Sequence, residues 1–200
     1  GDLLEFTVDE LKKLGLHENK KQPVLGIAVS IVGKPNVGKS SIFNKILKEE
    51  RVVVSPIPGT TRTAIDSPMK IDGADYTFID TAGLKKKEFR QAQPDIFSGF
   101  QSFKAIRRSD VCFFVIDATQ EITKQDQRVA SEIFNLEKGC IVLAKKCDLI
   151  TKAETEKLGK ATGPNAKKRD DSYQTVRDYI SHHFSFLWSS PVFFVSAISG

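Results

Sequence analysis

Eight residues, GKPNVGKS from Gly33 to Ser40, have the types and spacing needed to hold a phosphate chain. In a G-x-x-x-x-G-K-[ST] loop, Gly33 and Gly38 let successive backbone N–H groups converge on phosphate oxygens, and Lys39 supplies charge beside the outer phosphates. Ser40 can offer its hydroxyl to Mg²⁺. Asn36, Val37 and Ser41 belong to the same loop and helix start. A chance match in a chain of this size has a probability on the order of one per cent.

Two later stretches extend this chemistry. DTAG, Asp80 to Gly83, follows a strand-like run, where a carboxylate can hold Mg²⁺ through water and the Gly83 N–H can meet a γ-phosphate. PGTTRTAID offers Thr60 and Thr61, either of which could bring a hydroxyl to the metal. The plainer reading of that segment is a turn built from small polar residues.

Stepping outward from these groups, VLGIAVSIV (Val24 to Val32) is a short, β-branched apolar run that predicts a buried strand before the loop. After it, Ile42, Phe43, Ile46 and Leu47 recur at helical spacing. SPMKIDGADYTFID carries two extended stretches around Asp72-Gly73, which predicts an antiparallel hairpin of the second and third strands. VCFFVID (Val111 to Asp117), CIVLA (Cys140 to Ala144) and PVFFVSA (Pro191 to Ala197) read as central strands covered on both faces. Between them, Val129, Ile133, Phe134 and Leu136, then Tyr173, Val176, Ile180 and Phe184, mark helices. The expected fold is α/β of the P-loop NTPase kind: a mostly parallel central sheet with one antiparallel hairpin strand and helices on both faces. Asp2 to Leu14 reads as an amphipathic helix, Glu18 to Pro23 as a linker, and the Lys-rich Thr151 to Arg169 as a surface loop.

Composition narrows the class. The chain has 200 residues, 40% apolar and 28% charged, with a net charge of +5. No apolar run approaches the roughly 18 to 20 residues that cross a bilayer, and the first residues do not resemble a signal peptide, so a cytoplasmic protein with no membrane span is expected. Three cysteines lack framework spacing, and Cys112 and Cys140 read as buried thiols. His17, His182 and His183 have no metal-ligand spacing. Lys85, Lys86, Lys87 and Arg90 form a basic cluster that could meet a phosphate backbone or simply be solvated.

Taken together, GKPNVGKSSIFN, PGTTR, FIDTAGLKKK, KAIRRSDVCFFVIDA, ITKQDQRVA and FVSAISG resemble the Era/TrmE-type translational GTPases, and most of all the second G domain of the EngA (Der) tandem-GTPase ribosome-assembly family. The resemblance implies a G domain over 23–200 without its final helix, preceded at 1–22 by the tail helix and linker of another G domain. It implies Mg²⁺-dependent hydrolysis of GTP to GDP and phosphate as a switch in large-subunit assembly. The implied partners are ribosomal RNA or a pre-ribosomal particle, with a neighbouring G domain and a KH-like domain. By the same resemblance, Asn36, Lys39, Thr61 and Gly83 are catalytic, Ser40, Thr61 and Asp80 hold Mg²⁺, and Asn36 helps hold K⁺. Leu84 stands where Ras-like proteins place a water-orienting glutamine. From the residues alone, Asn36 could instead shape the turn. TTRT departs from the family's TTRD at Thr63.

The guanine-reading loop is the other departure. In CIVLAKKCDLI, Asp148 can accept from guanine N1–H and the 2-amino group, and the stem of Lys146 can lie over the base. Ser196, Ala197 and Ile198 can place a backbone N–H at guanine O6. Lys145, however, occupies the asparagine position, which removes an amide that donates to the base and ties this loop to the phosphate loop. The expected loss is about 0.5 to 3 kcal/mol of binding. Two main readings follow: a GTPase, or a slow or inactive nucleotide-sensing module with guanine affinity weakened by Lys145. An ATPase of the same architecture is a third.

Overall fold

Continuous runs of β-branched and aromatic residues are stable as strands only when both faces are covered, and here they form the middle of one sheet. The computed structural model describes residues 26–54, 66–85, 95–146, 172–187 and 189–196. Its strands are β1 (Ile27–Val32), β2 (Val52–Val54), β3 (Ser67–Ile71), β4 (Ala74–Ile79), β5 (Val111–Asp117), β6 (Gly139–Lys145) and β7 (Val192–Val195). Its helices are α1 (Lys39–Leu47), α2 (Ala82–Lys85), α3 (Asp95–Arg108), α4 (Lys124–Asn135) and α5 (Ser172–His183), followed by a 3₁₀ turn at Ser185–Leu187.

The sheet order is β2-β3-β4-β1-β5-β6-β7. β1 pairs in parallel with β4 and β5, and β6 pairs in parallel with β5 and β7. Only β3 runs against its neighbours, β2 and β4. The expected hairpin is there: Ile71 faces Ala74 across Asp72 (φ 48°) and Gly73 (φ 83°), the left-handed pair that a two-residue turn requires. The edge strand β2 was not expected, because three valines, two of them more than half exposed, give no period to read.

Side chains alternate across the sheet into two cores. From β5, Cys112, Phe114 and Ile116 join Ala105, Ile106, Val129, Ile133, Val176 and Ile180 of α3, α4 and α5. Val115 points the other way, to Val29, Phe43 and Leu84 under α1 and α2. Phe43 and Phe114 are fully buried, each contributing roughly 1.5 to 3 kcal/mol by removal from water. Phe134 and Tyr173 differ from the inward placement their spacing predicts: they are 52% and 50% exposed and meet Phe186 and Phe194 at the rim with tilted and edge-to-face rings. Cys112 and Cys140 are buried as expected, and burial pushes the Cys140 thiol up to about 12, where it stays protonated. His183 closes the end of α5, its Nδ1 3.0 Å from the Tyr179 carbonyl. The sequence readings of 1–22 and of Thr151 to Arg169 lie outside the described residues.

Candidate functional site

Because β1, β4, β5, β6 and β7 are parallel, their carboxyl ends open on one side of the sheet. The chain moves outward from β1 in both directions, to β4 on one side and β5 on the other, so a crevice opens at the end of β1. The phosphate loop leaves β1 there. Gly33 has φ 143°, and a Cβ on it would stand 2.3 Å from the Val115 carbonyl oxygen, so no other residue fits without moving β5. The Lys39 ammonium folds back over the loop and donates to the carbonyls of Gly33 (2.8 Å) and Lys34 (2.7 Å). Gly38 (φ 100°) caps α1 without any side-chain bond to the first-turn N–H groups, and that turn contains no acid. Backbone donors, a helix N-terminus and an ammonium thus meet in one loop, an arrangement suited to phosphate oxygens. Val37 is buried beneath the loop, while Asn36 and Ser41 are exposed on it and Ser40 is half-buried beside Lys39.

Asp80 leaves β4 with φ 55°, a conformation an aspartate adopts only at some cost. Its amide donates to Asp66 Oδ1 at 3.0 Å, and Asp66, 8% exposed in its side chain, is also paired with Arg108. Beneath them the hydroxyls of Ser67 and Thr81 share a 2.7 Å hydrogen bond. Burial, and then the negative charge of Asp66, push the Asp80 carboxyl up, with Arg108 and Lys104 opposing. Asp66 is already neutralised by Arg108, whereas the half-buried Asp80 carboxylate and the Ser40 hydroxyl are hard oxygens of the kind a divalent cation takes. Gly83 lies in α2, and Leu84 is buried in the core with Phe43, so its side chain is packed away from the crevice.

At the end of β6 the structure corrects one expectation. Lys145 is only 6% exposed, and its ammonium donates to the Gly38 carbonyl, at a long 3.5 Å. A long contact thus joins this strand to the phosphate loop, from an ammonium where an amide is the expected group. Lys146 (φ 65°) donates its amide to the Val195 carbonyl and pairs its ammonium with Asp117 Oδ2 at 2.6 Å. Asp117, at the end of β5, also accepts from the Thr119 amide (3.1 Å) and hydroxyl (2.7 Å). Ser196 follows β7, half-buried. Thr60, Thr61, Asp148, Ala197 and Ile198 lie outside the described residues.

Three residues escaped the sequence reading: Asp66, Arg108 and Asp117. The last had a signal, since an acid ending an apolar central strand reaches the same crevice as the acid ending β4. Among the described non-glycine residues with left-handed φ are Asn36, Asp80 and Lys146, each already a candidate. Asp80 and Lys146 take it at strand exits of the site and Asn36 within the phosphate loop, while Asp72 and Glu137 take it in turns away from the site.

The Asp117 carboxyl is held below the usual range: burial pushes it up, but the Lys146 ammonium and the two Thr119 donors outweigh that push. Its folded value is depressed, so its stabilisation is present above the unfolded value of about 3.9 and is lost as pH falls through the folded one. Asp117→Asn is expected to cost about 1.5 kcal/mol at neutral pH. Denaturant melts of both proteins should show the difference shrinking below about pH 4. A gap that persists unchanged at pH 3 would rule out the charge as its cause.

A phosphate-loop crevice at the switch point of a mostly parallel sheet defines a nucleotide-binding domain of the P-loop class. Within it, a model of the family described as 50S ribosome-binding GTPase matches residues 28–146, well over half the chain, and the chain belongs to that family. It is similar to GTPase Der of Caldicellulosiruptor saccharolyticus, 40% identical over 200 residues, covering 100% of this chain and 41% of the relative. GTPase Der of a Synechococcus strain is 42% identical over 174 residues, covering 87% of this chain and 35% of the relative. The chain thus spans about two fifths or less of these relatives' length. Among solved structures, Era in complex with MgGDPNP and a piece of 16S ribosomal RNA aligns with a TM-score of 0.54 at 24% identity, covering 88% of this chain and 53% of Era's. Elongation factor SelB of Methanococcus maripaludis aligns with a TM-score of 0.52 at 15% identity, covering 88% of this chain and 31% of SelB's. These last two speak for the fold. Among the described residues, no helix is long and apolar enough to cross a membrane.

Proposed function

We propose that the chain binds guanine nucleotide and hydrolyses GTP to GDP and phosphate, as a switch in assembly of the large ribosomal subunit. The observation that carries this is the convergence of the Lys39-seated loop and Asp80 on one switch-point crevice, in a chain of the 50S ribosome-binding GTPase family. Bound Mg²⁺ would supply positive charge at the β- and γ-phosphates; Ser40 and Asp80 would hold it, with Thr61 joining when the first switch closes. The loop N–H groups and Lys39 orient the phosphates, and the Gly83 amide meets the γ-phosphate. Guanine is read by Asp148, Lys146 and Lys145, and by the backbone at Ser196, Ala197 and Ile198. Leu84 offers no polar group to the attacking water, which supports a role for a monovalent cation, K⁺ held by Asn36, in stabilising transition-state charge. In a longer protein, a neighbouring G domain and a KH-like domain would bring this switch to ribosomal RNA or a pre-ribosomal particle.

Lys145, a lysine where the base-reading loop otherwise carries asparagine, favours one second reading, a slow or inactive nucleotide-sensing module with weakened guanine affinity. Phosphate release from GTP, measured in K⁺ and in Na⁺, separates them. The enzyme reading expects Mg²⁺-dependent turnover faster in K⁺. Tight GDP binding with no turnover in either salt would favour the sensor, and preference for ATP in competition would refute both.

A further inference from the structure

Behind the phosphate loop lies an ion pair that the proposed chemistry does not use. Lys34, the second residue of the loop, places its ammonium 3.6 Å from Asp126 Oδ2, and the two side chains are only 14% and 2% exposed. Asp126 sits in the first turn of α4, where it closes a reciprocal cap with Thr123: Oδ2 accepts the Thr123 amide (2.9 Å) and hydroxyl (2.6 Å), and the Asp126 amide donates back to Thr123 Oγ1 (3.3 Å). Its other oxygen, Oδ1, is buried with no hydrogen-bond partner among the described residues. A helix cap needs only a neutral acceptor at this position. A carboxylate buried this deeply is costly unless a cation lies beside it; the Lys34 ammonium, on the Oδ2 side, is that cation, and it offsets the charge while Oδ1 keeps no hydrogen-bond partner among the described residues.

Lys34 matters to the loop for a second reason. Its own carbonyl is one of the two that seat the Lys39 ammonium. The path from Lys39 through the backbone of Lys34 to Asp126 therefore joins the phosphate-binding lysine to α4. One residue before the cap, the Ile122 amide donates to the Tyr179 hydroxyl of α5 at 3.2 Å, so the path continues to a second helix on that face of the sheet.

We propose that Lys34 and Asp126 are positioning residues for nucleotide binding: their buried ion pair fixes the carbonyl arc on which Lys39 is seated, so that α4 sets the affinity of the phosphate loop. The inference rests on the reading of this loop as a nucleotide site. It touches no base contact, and so concerns how tightly phosphates are held and leaves the choice of base unchanged.

The test compares the 200-residue chain with Lys34→Met, Asp126→Asn, the double variant and Thr123→Ala. Two quantities are read: GDP affinity, and hydrogen exchange of loop amides 33–39 in nucleotide-free protein. Either single substitution of the pair should weaken GDP binding about tenfold and speed loop exchange, and the double variant should be no worse than the poorer single one. Lys34→Met should be the poorer, because it strands a buried carboxylate. Thr123→Ala removes the cap hydroxyl but keeps the pair, so it should lower thermal stability while leaving GDP affinity and loop exchange near the parent's. Additive losses in the double variant, loop exchange unchanged in both single variants, or Thr123→Ala weakening GDP as much as Asp126→Asn would overturn the proposal. If the parent chain binds no GDP, the nucleotide reading fails, and loop exchange still decides whether the pair holds the loop.

Discussion

Replacing Lys39 with alanine is expected to weaken GDP and GTP binding by roughly 150-fold, about 3 kcal/mol. Two effects combine. The ammonium faces a phosphate chain of several negative charges, and a single such contact near a protein surface is worth up to about 4 kcal/mol before desolvation is subtracted. The same ammonium donates to the carbonyls of Gly33 and Lys34, so its removal also loosens the loop whose backbone must point at the phosphates. Arginine should not rescue. Its planar fork carries the charge but does not fit where a compact ammonium bridges two carbonyls at 2.8 and 2.7 Å. Nucleotide titration, with circular dichroism to establish that the variant is folded, checks this. An alanine variant that is folded and binds within threefold of the parent would show that this loop does not hold the phosphates.

How far such a site can be read before folding depends on whether its members are neighbours in sequence. Gly33, Gly38, Lys39 and Ser40 are legible because their chemistry depends on local spacing, and the strand and helix around them follow from apolar runs of different period. β5 is legible residue for residue, Val111 to Asp117, because a strand covered on both faces admits no polar interruption before its end. Contacts across a crossover leave no such trace. Arg108, at the end of α3, meets Asp66, just before β3, across 42 positions, and Lys146 meets Asp117 across 29; the second needs the parallel register of β5 with β6, and the first needs α3 packed back on the sheet. The left-handed backbone at Asp80 and Lys146 is illegible for a related reason: neither is glycine, and only the packing of the strand exits imposes the angle. Phe134 and Tyr173 fell on the apolar stripe of their helices and yet lie at the rim, where helical spacing cannot tell a core position from an edge one.

Lys145 is where sequence and structure diverge most usefully. Judged by type, a lysine in place of asparagine takes away the group that links the base-reading strand to the phosphate loop. In the fold, four methylenes carry the ammonium to the Gly38 carbonyl, and the side chain packs so close that a Cβ on Gly38 would meet Nζ at 2.1 Å. An ammonium donates but cannot accept, so the amide's acceptor role is lost while its donor role and a positive charge beside the loop are kept. Lys145→Ala removes the donor and the packing together and should weaken GDP binding by about 30-fold, or about 2 kcal/mol. Lys145→Asn should bind GDP somewhat more tightly than the parent, by less than about tenfold, because the existing tie already supplies part of what the amide would. Neither variant should gain ATP binding if base choice rests on Asp148, whose carboxylate pairs with donors that adenine lacks. Titration of GDP and ATP into all three proteins reads these outcomes together. If Lys145→Ala bound GDP as well as the parent, the contact with Gly38 would be a packing accident, and a switch to ATP in Lys145→Asn would move the choice of base from Asp148 to Lys145.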